Sequence, residues 1–511
     1  MLGDIPASIV EGEPDRALGH ASGSEQGADL RDVEHRVSLG SEIRHLLAEP
    51  QRGNRKLVAV VCDAVVEEHP HALLERGRAR SREPGSRPGA CQARLQRVWD
   101  TWYLHAATPV ERDVLRLGSG MTERLDVAIL GAGPYGLSVA AQLRDRRRVR
   151  TYGEPMQTWR TRMPPDMRLR SDWNETAFSA PDDAGTFDRW AAATDEPREE
   201  PIPLEKFLRY ADWFRTSFVG DVDPTDVAAV ERANGGFRLT TDGGDEVDVR
   251  ALVVAVGAVP FASAPAPFDG ELGDDVRFAT DLQDYGAYES RRVVVVGGGQ
   301  GGLESALLAS RAGADVQMVV RSPLHWFADR EPHNARSPLG KRLYRLAYPV
   351  VGYGPPPLNR LVLHPALFSM LPRGVRRRLS ARVLRAGGSP WLRRAIESAV
   401  RIREGAAATA IERTNGELRL RLTDGSALTA DAVIVAAGFR FSLERLSFLA
   451  PEIRAGIELD EGWPVLDRFF RSTDRNVLFA GFASERRFGP IVRFIPGTRF
   501  SAPRIRELLA R

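Results

Sequence analysis

Two glycine-rich turns, each joining an apolar strand to an apolar helix, constrain this chain more than any other feature. In the first, GAGPYG follows the strand VAIL and precedes an apolar-periodic helix and a second short strand. Gly131, Gly133 and Gly136 have the spacing GxGxxG, which permits a tight turn, close approach of the backbone to a pyrophosphate, and close helix-on-strand packing. Phosphates then lie at the helix N-terminus. The segment predicts a dinucleotide site, with Pro134 and Tyr135 in the turn.

The end of the second strand departs from the usual pattern. An acidic residue commonly binds the ribose hydroxyls at that point. Here Gly153 takes the position and Glu154 follows it. Glu154 is therefore a candidate ribose ligand, and a solvated turn residue is an equal alternative.

A second unit, RRVVVVGGGQGGLESALLASRAGADVQMVVRSP, repeats the order strand, glycine turn, helix and strand. Gly297, Gly299 and Gly302 have the same spacing, and Gln300 stands at the start of the helix. The second strand ends in Arg321, which can pair with a ribose 2′-phosphate that an acid would repel. This unit predicts a site for NADPH rather than NADH, and a surface arginine at a strand end is the alternative.

Three further segments each combine an apolar strand with a glycine: ALVVAVGAVP, DAVIVAAGFRF and NVLFAGFAS. They place Gly257, Gly438 and Gly481 after buried strands, although each segment alone is also consistent with a plain strand and turn. Two nucleotides bound edge to edge are the arrangement for hydride transfer between a nicotinamide and a flavin. Together these segments indicate a site for FAD beside the site for NADPH.

These segments resemble the flavoproteins with two dinucleotide-binding domains, and among them the class B flavin-dependent monooxygenases, which include the lysine and ornithine N-hydroxylases. The resemblance implies an α/β fold of two Rossmann-like, three-layer ββα domains. The NADPH domain is expected to be inserted in a discontinuous FAD domain. The implied divisions are a weakly structured extension (1–120), the first segment of the FAD domain (121–285), the NADP-binding domain (286–428) with a helical insertion (323–405), and the returning segment of the FAD domain (429–511).

The resemblance also assigns residues to the surroundings of the flavin ring. PMQTWRTRMPPDMRLRS resembles the family segment that passes the isoalloxazine, which places Trp159, Arg160, Met167 and Ser171 near it.

FGPIVRFIPG resembles the loop that faces the flavin pyrimidine, where Gly489, Pro490 and Gly497 would allow close approach and Arg493 would face the site. A simple Gly-Pro turn is the alternative. PIPLEKFLRYADWF resembles a family helix whose three aromatic residues, at helical spacing, we expect to pack in the core. These are Phe207, Tyr210 and Trp213.

By the same resemblance the activity is monooxygenation, in which NADPH reduces FAD, O2 adds to give a hydroperoxyflavin, and one oxygen atom passes to a small nucleophilic substrate, with an amine nitrogen as one candidate. The histidine fingerprint of Baeyer–Villiger and flavin-containing monooxygenases is not found. From Met121 onward the chain has no cysteine, which excludes a dithiol relay. The alternatives are an NAD(P)H-dependent reductase or oxidase and a non-enzymatic flavin-binding protein. No catalytic residue and no metal ligand set is assigned.

Charge and composition limit the kinds of partner that we expect this chain to bind. The net charge is +3, from 71 basic and 68 acidic residues, which argues against a general nucleic-acid binder. The first residues lack a signal-peptide pattern, and the longest uncharged run, 251–268, contains helix-breaking prolines and a glycine. We therefore expect a cytoplasmic protein without an integral membrane segment, whose partners are a small-molecule substrate and O2. Homo-oligomerisation stays open.

The segment 323–405 is strongly basic, with 16 arginines and lysines against four acids. Three interpretations compete: a solvated helical cap that includes a dimer face, a cap that attracts NADPH or an anionic substrate, and a surface for anionic lipid. The lipid interpretation relies on apolar Leu361, Val362, Leu367 and Phe368 beside three consecutive arginines.

Residues 1–120 differ from the rest in composition and contain both cysteines, Cys62 and Cys91. They show no sustained helical or strand period, which predicts disorder or weak structure. We expect the native chain to start at Met121, directly before the first glycine unit. A genuine regulatory or linker extension is the alternative.

Overall fold

A computed structural model of the chain describes residues 124–145, 147–327, 354–355, 358–414 and 416–510. The predictions for 1–120 and for a start at Met121 lie outside these residues, as does part of the basic insertion, 328–353.

The strands, numbered along the chain, are β1 (Arg124–Leu130), β2 (Val149–Tyr152), β3 (Val227–Ala233), β4 (Gly236–Thr241), β5 (Glu246–Val254), β6 (Val276–Phe278), β7 (Arg292–Val296), β8 (Asp315–Val320), β9 (Arg401–Glu404), β10 (Ala408–Thr414), β11 (Glu417–Leu422), β12 (Ala427–Ala430), β13 (Ala432–Val435), β14 (Leu459–Asp460), β15 (Trp463–Pro464) and β16 (Val477–Phe479).

The α-helices are α1 (Pro134–Leu143), α2 (Gln157–Thr161), α3 (Phe187–Thr194), α4 (Leu204–Phe214), α5 (Gln300–Arg311), α6 (Leu358–Val362), α7 (Pro365–Met370), α8 (Arg373–Val383), α9 (Pro390–Ala399), α10 (Pro451–Ala455), α11 (Glu485–Phe488) and α12 (Thr498–Leu509).

The first sheet is built around β1 and β5. Strands β2, β1, β5 and β16 run parallel, with Leu130 opposite both Tyr152 and Val254, and Val254 opposite Phe479. The antiparallel pair β4 and β3 extends from the first half of β5. Parallel strands covered on both faces are apolar throughout, and the inner residues of β1 and β5 are buried accordingly. This sheet carries the first glycine turn at the carboxyl end of β1.

The second sheet has the order β6-β13-β7-β8-β9, and all its strands are parallel. Strands β10, β11 and β12 form a separate antiparallel sheet beside it. The two parallel sheets confirm the predicted α/β fold with two Rossmann-like domains. Antiparallel strands extend the first sheet and lie beside the second. The second glycine turn follows β7.

The strand pairing divides the chain at different points from the boundaries predicted at 285 and 428. Strand β6 begins at Val276 and β13 ends at Val435, and both belong to the second sheet. Sheet membership depends on hydrogen bonding between distant strands, which the position of a glycine motif does not reveal.

The described part of the basic insertion forms helices α6 to α9. Phe368 on α7 and Val362 on α6 are buried within the core that surrounds the first sheet. The buried Arg376 of α8 donates to the carbonyl oxygens of Ser369 and Leu371, 3.0 and 2.9 Å away. The insertion therefore packs beside the first sheet, and two of the four apolar residues proposed for lipid contact, Val362 and Phe368, are instead core residues.

Helix α4 confirms the core role predicted for its first two aromatics. Phe207 and Tyr210 are fully buried, whereas Trp213 is half-buried. The Tyr210 hydroxyl donates to the Gly185 carbonyl and accepts from the Phe178 amide, both at 2.6 Å. A buried hydroxyl with both partners satisfied is a structural group. In the described ranges, no helix combines the length and hydropathy that crossing a bilayer requires.

Candidate functional site

The first glycine turn is shaped by steric requirements that differ from one glycine to the next. Gly131 has a φ of 108°, and a Cβ there would lie 2.6 Å from the carbonyl oxygen of Ala255. A Cβ on Gly136 would overlap the carbonyl oxygen of Gly131. Gly133, by contrast, has nothing within 4 Å of such an atom, and it caps α1 without a side-chain hydrogen bond. The space beside Gly133 at the N-terminus of α1 is thus open, as a bound pyrophosphate requires.

The second turn repeats this arrangement. Gly297 has a φ of 125°, and a Cβ on it would overlap the Ala436 carbonyl oxygen, while one on Gly302 would overlap the Gly297 carbonyl oxygen. A Cβ on Gly299 would meet only the methyl group of Ala386, at 4.0 Å. The donor set and the free space therefore fit a second dinucleotide at the N-terminus of α5.

The three later glycines divide into two kinds. Gly257 and Gly438 have positive φ values of 75° and 88°, and a Cβ added to either would have no neighbouring atom within 4 Å. Gly481 is packed, because a Cβ on it would lie 3.1 Å from the ring of Tyr135. Tyr135 in turn donates its hydroxyl hydrogen to the carbonyl oxygen of Phe494, at 2.8 Å. Tyr135 thus ties the first glycine turn to the C-terminal loop.

The residues expected near the isoalloxazine pack beside the first turn. Trp159 and Met167 contact the buried cluster that contains Ala132 of that turn. Arg160, however, forms a 2.6 Å ion pair with Asp212 and donates to a backbone carbonyl, so its guanidinium holds the scaffold together.

Ser171 is also engaged within the protein. Its hydroxyl lies 2.9 Å from the hydroxyl of Thr176. Thr176 in turn donates to the carbonyl oxygen of Asp172. Ser171 thus belongs to a local network that shapes the loop.

Two residues were predicted to contact the ribose groups of the nucleotides, and both are exposed. Glu154 follows β2 and Arg321 follows β8. The structure places a further carboxylate, that of Asp226, close to the first glycine turn. A Cβ added to Gly153 would lie 3.7 Å from Asp226 Oδ1 and 3.8 Å from the amide nitrogen of Ala132. Asp226 lies just before β3, far from the glycine motif in sequence, and no local pattern identifies it.

The C-terminal loop is closely packed at both predicted glycines. A Cβ on Gly489 would lie 2.6 Å from the ring of Phe368, and one on Gly497 would lie 2.6 Å from the carbonyl oxygen of Ile491. Pro490 is buried. Gly489 therefore accommodates a side chain of the basic insertion.

Glu304 on α5 is a partly buried residue that the sequence reasoning missed, although it ends the motif GGGQGGLE. Burial raises its pKa to about 7, against a hydrogen bond from Gln300 and the field of Arg170, which lower it. Gln300 donates to Glu304 at 2.6 Å and accepts from the amide and hydroxyl of Ser389 at 2.9 and 3.0 Å. The end of the insertion is thereby bonded to the residue that follows the second glycine turn.

A second buried pair lies in the C-terminal segment. Arg493 stacks on the ring of Phe482, with its guanidinium carbon 4.8 Å from the centroid. Glu485 Oε2 is 3.8 Å from Arg493 Nη1, beyond hydrogen-bond distance. Burial raises the pKa of Glu485 and lowers that of Arg493. The side chain of Ser380 on α8 lowers the pKa of Glu485, against the effect of burial, so the insertion also reaches this pair.

Comparison with known proteins agrees with this architecture. The family model for pyridine nucleotide-disulphide oxidoreductases matches residues 128–342. Indole-3-pyruvate monooxygenase YUCCA1 from rice is 29% identical over 212 residues, which cover 39% of this chain and 48% of the relative. A ferredoxin–NADP reductase from Acidiphilium cryptum is 30% identical over 101 residues, covering 19% of this chain and 29% of the relative. The chain thus spans about half or less of these relatives.

Among solved structures, L-lysine 6-monooxygenase from Pseudomonas syringae has a TM-score of 0.57 at 20% identity, and the match covers 76% of this chain and 99% of that one. This likeness concerns the fold. Together, the two parallel sheets, the two open glycine turns and the family match over 128–342 support a fold of two dinucleotide-binding domains.

Proposed function

We propose that this chain is an FAD- and NADPH-dependent monooxygenase that transfers one oxygen atom of O2 to a small nucleophilic substrate. The observation that carries the proposal is the pairing of two open dinucleotide turns with the absence of cysteine from Met121 onward. Electrons that enter from NADPH then have no dithiol to pass to in this region of the chain. We propose oxygen as the acceptor of these electrons.

When bound, FAD supplies the redox and oxygen chemistry. The amides of Tyr135 and Gly136, which follow Pro134 in the first turn of α1, would hold its pyrophosphate, and those after Gly299 would hold that of NADPH. Arg321 would pair with the 2′-phosphate. The protein's other task is to exclude water from the reaction site.

Hydroxylation of an amine nitrogen is the finer proposal. It is supported by the fold shared with the lysine 6-monooxygenase over 76% of this chain. The missing histidine fingerprint makes transfer to ketones less favoured.

Oxygen accounting tests the proposal. The purified holoprotein is supplied with NADPH and air in the presence of small amines, and NADPH use, H2O2 release and hydroxylamine formation are measured. We expect an accepted amine to lower H2O2 per NADPH and to yield a product with one ¹⁸O atom from ¹⁸O2. Stoichiometric H2O2 with every amine, and no oxygenated product, would contradict the proposal.

A reductase that passes electrons to a protein or quinone is the second candidate, favoured by the match to the ferredoxin–NADP reductase. It predicts rapid NADPH-dependent reduction of ferredoxin or a quinone, with no effect of amines. A protein that binds FAD but does not oxidise NADPH would be neither a monooxygenase nor a reductase.

A further inference from the structure

Helices α7 and α8 of the basic insertion expose large apolar side chains. Met370 is 79% exposed, Leu367 is 56% exposed and Val375 is 40% exposed. These three are half of the six large apolar side chains that are strongly exposed in the described residues, and they lie close together in sequence. Exposed apolar side chains that are grouped in this way and bordered by polar residues mark an interaction surface.

The opposite sides of both helices are anchored to the C-terminal segment. Phe368 of α7 is buried against Gly489. The buried Arg376 of α8 donates to the carbonyl oxygen of Ser369 at 3.0 Å and to that of Arg486, on α11, at 3.3 Å. Because these contacts hold both helices against α11, the exposed side chains belong to a packed structure and face away from it.

Helical spacing places the exposed apolar side chains beside arginines. Residues three, four or seven positions apart share a side of an α-helix. Val375, Arg378 and Arg382 therefore lie along one side of α8, and all three are exposed. Leu367 and Met370 share a side of α7 in the same way. We call these five residues the α7–α8 face.

The charge of this face is positive and is only partly balanced. Helix α8 contains five arginines and no acidic residue. Two of the five pair with Asp460 and Glu461. Arg378 and Arg382 form no ion pair within the ranges that the structure describes. Their guanidinium groups, next to the exposed apolar side chains, are therefore suited to an external anion.

Basic and apolar side chains on one face fit the surface of an anionic bilayer. Arginines are attracted to the lipid phosphates, while apolar side chains enter the boundary between headgroups and acyl chains. A second copy of the chain fits this face less well, because a symmetric contact would bring the arginines of both copies together. Three partly exposed apolar side chains also supply only a small share of the roughly 800 Å² that each partner buries in a stable protein interface.

We propose that the α7–α8 face binds the surface of a membrane that contains anionic lipid. Leu367 and Met370 enter the boundary between headgroups and acyl chains, and Arg378 and Arg382 contact the lipid phosphates. Of the apolar residues that the sequence suggested for lipid contact, only Leu367 belongs to this face. The proposal does not depend on the oxygen reaction.

Co-sedimentation of the full-length holoprotein with lipid vesicles, at low salt and without NADPH, tests the proposal. Vesicles of phosphatidylcholine are compared with vesicles in which about one third of the lipid is phosphatidylglycerol. We expect an affinity about tenfold or more higher for the anionic vesicles, and added salt should reduce it by screening the charges. Each arginine near an anionic surface strengthens binding by about fivefold. Replacing both Arg378→Gln and Arg382→Gln should therefore weaken binding by about twentyfold.

Substitutions of the apolar residues test the second contribution to binding. Leu367→Ser combined with Met370→Ser should weaken binding to anionic vesicles by about tenfold. Leu272→Ser removes a similarly exposed apolar side chain (44%) outside the face, and Arg419→Gln removes an exposed arginine of β11. Both controls should bind vesicles as the unaltered protein does. Since every substituted residue is exposed, all variants should keep a near-normal Tm and FAD content.

Several results would overturn the proposal. One is equal binding to the two kinds of vesicle. Another is anionic binding that neither double variant weakens, because the lipid contact would then lie elsewhere in the chain. A third is the absence of vesicle binding. In that case a dimer that Met370→Ser dissociates, measured by analytical ultracentrifugation, would assign the face to a second copy, and a monomer would assign it to an acidic protein partner.

Discussion

At the scale of single residues, the glycine motif contains two kinds of position that the sequence alone does not separate. Gly136 is required because its hydrogen faces a backbone carbonyl oxygen, whereas Gly133 is next to open space. Both glycines have negative φ, so alanine at either position tests whether there is room for a methyl group and does not strain the backbone.

Gly136→Ala and Gly133→Ala should therefore fail in different ways. The methyl group at position 136 would overlap the carbonyl oxygen of Gly131, so β1 and α1 must move apart, and we expect a loss of stability of about 1–3 kcal/mol or more. Gly133→Ala should fold with a near-normal Tm but bind FAD more weakly, because the methyl group enters the space left for the pyrophosphate. Thermal unfolding of the apoproteins measures the stability of each variant, and FAD titration measures its affinity. Equal losses of Tm in the two variants would contradict the distinction between the two glycines.

Glu304 provides a pH prediction at the same scale. Its pKa is raised to about 7 in the folded protein by burial, above its ordinary value near 4.5. The folded state therefore binds more protons than the unfolded state between these values, and stability falls as the pH rises through this window. Glu304→Gln should remove that dependence. Tm measured from pH 5 to pH 8 should fall by a few degrees more for the unaltered protein than for the variant, and parallel curves would contradict the assignment.

At the scale of secondary-structure elements, the basic insertion is the segment that the sequence described least well. Its charge and proline-broken helices are evident from sequence, but its docking is not. Phe368 packs on Gly489 from more than a hundred positions away, and neither residue belongs to a periodic pattern that indicates the other. By contrast, the apolar strands and glycine turns are local signals, and β1, α1, β7 and α5 follow them closely.

Neighbouring side chains of α7 offer a matched test of this docking. Phe368 is fully buried, whereas Leu367 is 56% exposed. Phe368→Ala should destabilise the protein by about 3–5 kcal/mol, the usual cost of removing a buried aromatic ring. Leu367→Ala should change stability by less than about 0.5 kcal/mol, as surface substitutions do. Denaturant unfolding measures both; a small effect of Phe368→Ala would show that the insertion does not rest on the C-terminal loop.

At the scale of the whole molecule, two nucleotide domains meet at a cleft whose side chains come from widely separated regions of the chain. There the charge of Arg170 acts on both Glu304 and Arg493, and sequence reasoning singled out only Arg493 of these three residues. The reason is physical: the resemblance to known motifs identifies backbone turns, whereas a cleft depends on how the two sheets are placed. The boundaries at Val276 and Val435 differ from prediction for the same reason.

The absence of cysteine from Met121 onward makes a prediction about the electron capacity of the whole protein. FAD alone accepts two electrons, so anaerobic titration should reach full flavin reduction at one NADPH per FAD. A flavin joined to a redox-active dithiol would need two, because the disulfide takes the first pair. Cys62 and Cys91 lie in the first 120 residues, and prior reduction followed by alkylation of both should leave the endpoint unchanged. An endpoint near two equivalents that alkylation lowers to one would mean that these cysteines exchange electrons with the flavin, and the monooxygenase proposal would then lose its main support.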